Sequence, residues 1–436
     1  MSSFLRHARW GWWLAVALAW ATSSWAQTTP DYELPPINYS AATPRDAITR
    51  LQERLNSGVL VLEREERALL RGLLDALHIP VESQLLVFSK TSLQRNLIHP
   101  ERPRALYYSD DAYVGWVPGG LIEIVTIDPL LGPVFYAVET RPPHAAIPEI
   151  IRDADCLRCH GGTFVRDIPG IFARSVFSTS SGEMLLRHGT LVVDDETPFS
   201  DRWGGWYVTG YHGSTPHRGN AFATEEKDKL VFAPDPSRRD TLSDVLDLDR
   251  YLESTSDVVA LLVFEHQTTM QNAITKAGVS TRKMLTYQRS LQEAFKEKVS
   301  DEPTYDSVKS VFSSCVQDVL DRLLFRNAAP LPPGIIGSPI FQETFQKSGL
   351  RSTAGDSLRD LDLKERLFSL RCSYLIYSES FRALPNPFRA QLFARLHSVL
   401  EGKDPRYHYL TPQERQRVQS LLRETHPDAK QYWPKI

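Results

Sequence analysis

The chain is poor in cysteine and nearly balanced in charge, and beyond its first two dozen residues it has no long hydrophobic run. Four cysteines in 436 residues exclude a small disulfide-stapled fold. A formal charge of -3 leaves no electrostatic footprint for nucleic acid. No stretch after residue 26 holds enough uninterrupted apolar residues to span a bilayer, so no transmembrane segment is expected in the mature chain. Internal repeats and low-complexity tracts are absent too.

What is present begins with an export signal over residues 1–26. Arg6 and Arg9 give a positive start, an apolar run follows from Trp12 to Ala21, and Ser24-Trp25-Ala26 supplies small residues for cleavage after Ala26. The alternative, an uncleaved anchor, is opposed by a run shorter than the roughly 20 apolar residues a span requires. No cysteine stands at the cleavage point to carry a lipid. The sequence therefore predicts a soluble bacterial protein, periplasmic or secreted, with a formal charge moving from -3 to -5 on loss of the two arginines. With 42% hydrophobic and 24% charged residues, what remains is ordinary globular material.

Three regions follow. Residues 27–80 are a proline-rich lead-in and a helical pair: Thr43-Pro44-Arg45-Asp46 reads as a helix start with Thr43 as N-cap, and Leu69, Leu70, Leu73, Leu74 and Leu77 form a second amphipathic run before Pro80. Residues 81–240 carry short β-branched and aromatic runs: Leu85–Phe88, Ala112–Val117, Leu121–Ile127, Val134–Val138, Ile171–Phe177, Met184–Val193 and Trp203–Tyr211. Turn chemistry at 127–132 and 179–182 predicts antiparallel hairpins. Residues 241–436 return to helical spacing at Asp257–Ala277, Arg282–Val299, Tyr305–Phe325, Pro387–Leu400 and Thr411–Thr425. The expected fold class is α+β: an antiparallel-sheet middle between a short helical pair and an α-helical C-terminal domain.

The cysteines fall in two groups. Cys315 and Cys372 are isolated, and either a disulfide or two buried thiols is compatible with them. Cys156 and Cys159 stand three apart with His160 directly after, in Asp155-Cys156-Leu157-Arg158-Cys159-His160-Gly161-Gly162, the attachment signature of haem c. Two thiols at this spacing reach the two vinyl groups of one porphyrin, and the adjacent imidazole meets the iron. A zinc site would need two further ligands, and a redox-active pair would normally open a helix in a βαβ unit; neither accounts for His160.

This segment resembles the haem segment of bacterial c-type cytochromes, and the mature chain is similar to large monohaem secreted proteins of otherwise uncharacterised role. A weaker likeness, on Cys156–Gly161 and the flanking hairpins, is to haem-bearing sensor domains of the PAS type. The resemblance implies one covalent haem c, with Cys156 and Cys159 as thioether attachment points and His160 as proximal iron ligand. Small helical cytochromes differ in carrying the motif early and a methionine segment soon after.

Function then turns on the far side of the iron, because a strong sixth ligand favours electron transfer and an open position favours small-molecule chemistry. Candidates are His212 and His217, in a glycine- and aromatic-rich stretch from Arg202 to Asn220, and His266 with Met270 on one face of the Asp257–Ala277 helix. Met184, His188 and His144 stand behind them. Each has an ordinary structural explanation as well: a surface or hydrogen-bonded histidine, or a core methionine. Arg158, Arg174 and Arg202 are the nearest arginines by motif to partner haem propionates. The leading expectation is periplasmic electron transfer with an unknown redox partner; the alternatives are a haem enzyme of peroxidase or oxygenase type, or a haem-based sensor of small molecules.

Overall fold

A computed structural model describes residues 29–140, 149–213, 215–235 and 238–434. The signal at 1–26 and His144 lie outside the described residues. The chain is α+β, with antiparallel sheets in the middle and helices towards the C-terminus.

Two helices open it, α1 (Ala47–Asn56) and α2 (Glu66–Ala76). The N-cap of α1 is Asp46, three residues later than the sequence suggests, because its carboxylate does two jobs. One oxygen accepts from Thr49 N at 3.0 Å; the other accepts from the Thr126 and Tyr136 hydroxyls at 2.6 Å each, fixing the helix start to the sheet.

That sheet has six antiparallel strands in sequential order: β1 (Leu85–Val87), β2 (Arg104–Tyr108), β3 (Ala112–Trp116), β4 (Ile122–Asp128), β5 (Gly132–Val138) and β6 (Ile150–Arg152). Alternation decides its faces. Ile122, Ile124, Val134 and Tyr136 point to a core shared with α1 and α2. Val125 and Ile127 point to the opposite side, against a larger core built on the C-terminal helices. After β6 comes α3 (Leu157–His160), then the hairpin β7 (Ala173–Val176) and β8 (Thr190–Val193), and the hairpin β9 (Ala223–Glu226) and β10 (Lys229–Phe232).

The C-terminal part is α4 (Val258–Ala294), α5 (Asp306–Leu323), α6 (Pro339–Lys347), the short α7 (Glu379–Arg382), α8 (Asn386–Leu400), α9 (Pro412–Thr425) and α10 (Pro427–Tyr432). The two helices expected at 257–277 and 282–299 are one, of 37 residues. It crosses the sheet: Tyr113 donates to Gln271 Oε1 at 2.5 Å, Tyr108 to the Ala260 carbonyl at 2.7 Å, and Gln267 to the Ser109 carbonyl at 2.6 Å.

Trp203–Tyr211, expected as a strand, is instead an irregular segment threaded between sheets. Its backbone bonds Val176, Phe88, Ser89 and Leu86 in turn. Trp203 has φ +66° and Gly205 φ +86°, and a Cβ on Gly205 would stand 2.5 Å from that of Ser89. Gly204 makes room for the Val176 carbonyl and Gly205 for the Ser89 side chain, so these glycines serve packing within the chain. Cys315 and Cys372 are both free thiols, half-buried and buried, which removes the disulfide alternative.

Candidate functional site

The motif begins as Asp153 accepts from Asp155 N at 2.9 Å, turning the chain out of β6 into the single turn of α3. Gly161 ends that turn with its N–H on the Leu157 carbonyl at 2.9 Å. The chain then returns at Gly170, where two hydrogen bonds pin it to the motif: Gly170 N donates to the His160 carbonyl at 2.9 Å, and His160 Nδ1 lies 2.8 Å from the Gly170 carbonyl. A carbonyl only accepts, so Nδ1 carries the proton and Nε2 keeps its lone pair. Phe135 and Phe172 flank the ring, each with its centroid at 5.0 Å. Burial lowers the proton affinity of His160, which keeps the imidazole neutral.

The Gly170 segment is itself clamped by α4. Asn272 accepts from Ile171 N at 3.0 Å and donates to the Ile171 carbonyl at 2.7 Å. A Cβ on Gly170 would sit 2.7 Å from that of Val165 and 2.8 Å from Asn272 Oδ1, so only glycine fits under this clamp.

Cys156, Cys159 and His160 line one cleft of about 80 Å³ with Thr91, Leu93, Phe135 and the pair Arg104–Glu123. Both thiols are free, Cys159 exposed and Cys156 half-buried. Burial, followed by the charge of Asp153, pushes the Cys156 thiol up to about 12. That is opposite to the activated thiolate of a redox C-x-x-C pair. No group of three or more His, Cys, Asp or Glu able to hold a metal ion occurs among the described residues.

The donor chemistry suits haem c: two free thiols three residues apart, and one neutral imidazole with its second nitrogen open. The cleft is much smaller than the ~300 Å³ at the low end of small-molecule pockets, so an attached porphyrin would extend from it towards exposed Cys159.

The other predicted residues lie elsewhere. His212 and His217 face each other at 4.2 Å, edge to face, beside Phe199 and Trp203. His217 Nδ1 accepts from Gly219 N at 3.0 Å, while His217 Nε2 and His212 Nδ1 are buried with no hydrogen-bond partner. Burial lowers both imidazoles, His217 to about 3. His266 has both ring nitrogens engaged, Nδ1 on Asp195 at 3.0 Å and Nε2 on Ser373 at 2.7 Å. Ser373 is fully buried and its hydroxyl caps the turn at Leu375, so this Ser–His–Asp array ties elements together. Beside it Arg202 and Glu265 form a buried pair at 2.6 Å; burial pushes Glu265 up to about 7 against the pull of Arg202. Met270 is core, Met184 bridges Ser178, and His188 contacts Glu225 at 3.1 Å. None of these residues lines the cleft at His160.

Of the three arginines predicted from the sequence, Arg158 is exposed, Arg202 is taken by Glu265, and Arg174 lies over Phe164 at 5.1 Å. The arginine in the cleft is Arg104, on β2. That strand is missing from the expected set, although Tyr107 and Tyr108 are strand formers. Asn272 and Gly170 were also missed; Pro169-Gly170 is a turn dipeptide, while a clamping asparagine has no local signature.

No protein-family model matches the chain, and no curated protein or solved structure matches it either.

Proposed function

We propose that the protein is a periplasmic monohaem c-type cytochrome, carrying one haem through thioethers at Cys156 and Cys159 with His160 as proximal ligand. The observation that carries this reading is the His160 ring, oriented by Gly170 and with Nε2 free, next to two unpaired thiols. Bound there, the haem would supply a one-electron couple. The chain would contribute the orientation: Gly170 fixes the tautomer and ring plane, Asn272 holds Gly170, and Phe135 and Phe172 keep the imidazole from rotating. A haem extending past a shallow cleft would present an edge to solvent, as exchange with a redox partner requires.

A second reading, a haem enzyme or small-molecule sensor with an open iron position, is favoured by one observation. His212, His217 and His266 are all packed away from the His160 cleft.

The test is expression in a host that assembles c-type cytochromes. The purified protein is expected to be red and to keep its haem through denaturation; Cys156→Ala with Cys159→Ala removes the covalent haem, and His160→Ala alters the spectrum. A colourless product with two unmodified thiols would sink the proposal.

A further inference from the structure

The opening helices, the sheet and the C-terminal helices meet around a cavity of about 770 Å³ that shares no residue with the His160 cleft. Its volume falls in the roughly 300–1,000 Å³ range of small-molecule sites. Leu51 of α1, Leu77 and Ile79 after α2, Tyr108 at the end of β2, and Phe341 and Phe345 of α6 form its apolar wall. That wall is braced from within the protein. The Tyr108 hydroxyl donates to the Ala260 carbonyl at 2.7 Å, Gln267 donates to Tyr113 at 2.7 Å and accepts from Tyr374 at 2.6 Å, and the Phe341 and Phe345 rings stack at 6.0 Å. These polar groups satisfy one another, so the cavity is formed before any ligand arrives, which lowers the cost of binding.

The charges around it are unequally placed. Arg50, Arg54, Asp75, Asp110 and Asp111 are exposed, whereas Arg359 is buried, at 7% exposure. The Arg359 guanidinium lies over the rings of Tyr374 and Phe345, 4.2 and 4.7 Å from their centroids, and its Nη2 donates to Asp110. Nε and Nη1 make no hydrogen bond among the described residues, and neither is fully occluded. A guanidinium is donor only, with five N–H groups in a rigid plane. Arg359 therefore brings a fixed, desolvated positive charge to the cavity with most of its donors unspent.

We propose that this cavity binds a small carboxylic acid, its carboxylate on the unspent N–H groups of Arg359 and its apolar body against Leu77, Tyr108 and Phe341. The inference stands apart from the haem reading above. A planar guanidinium matches a planar carboxylate, and the charge-assisted hydrogen bonds strengthen away from water. A phosphate fits less well, because its second charge would meet Asp110 and Asp111. An amine would meet the buried cation.

The test is isothermal titration calorimetry on the purified mature chain, with benzoate, phenylacetate, cinnamate and octanoate as probes. The neutral amide and the amine of each serve as controls. At least one acid is expected to bind with a Kd below about 1 mM. Its amide is expected to bind roughly tenfold or more weakly, the worth of a charge-assisted hydrogen bond. Arg359→Gln is expected to erase that difference between acid and amide. Ala47→Phe, at a half-buried lining position on α1, keeps every charge and fills space, and is expected to weaken acid and amide alike. Melting curves check that both variants fold. Should Arg359→Gln not fold, the comparison of acid with amide in the unaltered protein and the Ala47→Phe result still decide.

Four results would overturn the proposal. None of the acids binds; acid and amide bind the unaltered protein equally; a folded Arg359→Gln keeps the preference, or a folded Ala47→Phe keeps the affinity; or the amine binds more tightly than the acid, which would give the cavity to cations through Asp110 and Asp111.

Discussion

His217 is fully buried and its imidazole is held neutral, its proton affinity lowered to about 3 by burial and then by His212. The sign of the consequence follows from proton counting. Below about pH 6.5 the unfolded histidine takes up a proton that the folded one refuses, so the unfolded state binds more protons and stability falls as pH falls. Between pH 7 and 5 this one residue contributes a loss on the order of 2 kcal/mol, at 1.36 kcal/mol per pH unit. His217→Gln, which stays neutral, is expected to flatten the pH dependence of the melting temperature over that interval. Equal slopes in the two proteins would show that the imidazole titrates normally in the fold.

At the scale of elements, α4 depends on the residue that caps it. Asp257 accepts from Val259 N and Ala260 N at 3.0 Å each with one oxygen, and with the other from Ser338 N at 2.5 Å, so one buried carboxylate starts α4 and holds the entry to α6. Asp257→Ala is expected to cost about 2 kcal/mol or more, as the lost cap adds to an unsatisfied buried N–H at Ser338. Denaturant midpoints of the two proteins measure it.

Elements with a strong local period were legible in the sequence. The leucine run of α2, the hairpin at 127–132 and the helical spacing that becomes α9 all follow from patterns within a few residues. Two other features depend on partners far along the chain. Asp46 displaces Thr43 as cap because Thr126 and Tyr136 reach it, and Trp203–Tyr211 leaves strand geometry because its backbone is bonded by β1 and β7 on either side. The site divides in the same way. Cys156, Cys159 and His160 announce themselves by spacing, whereas Arg104, Gly170 and Asn272 become neighbours of the motif only when β2 and α4 fold onto it.

For the whole molecule, the boundary expected at 240 separates parts that the structure packs together. Residues of α4 sit in the core of the C-terminal helices, while its Val279 belongs to the core of α1, α2 and the sheet. The helix also bonds β2, β3 and the segment beneath His160. Loss of either core therefore removes the support of the other. The full chain is expected to unfold in one transition, with far-ultraviolet dichroism and tryptophan fluorescence changing at the same temperature. Two separated transitions would show that the sheet region and the C-terminal helices are independent.

The unbroken length of α4 also limits how this protein can vary. Each residue added to a helix turns everything beyond it by about 100° and advances it by 1.5 Å. Glu265 and His266 face the Arg202 and Asp195 side, Gln267 and Gln271 face the sheet, and Asn272 meets the loop under the imidazole, all within eight consecutive positions. An insertion at 269 would swing Asn272 away from Ile171 while leaving Glu265 where it was, and no neighbouring turn could absorb the mismatch. Length changes among descendants of this chain should therefore collect in its loops, with the stretch from 265 to 272 kept as a fixed ruler.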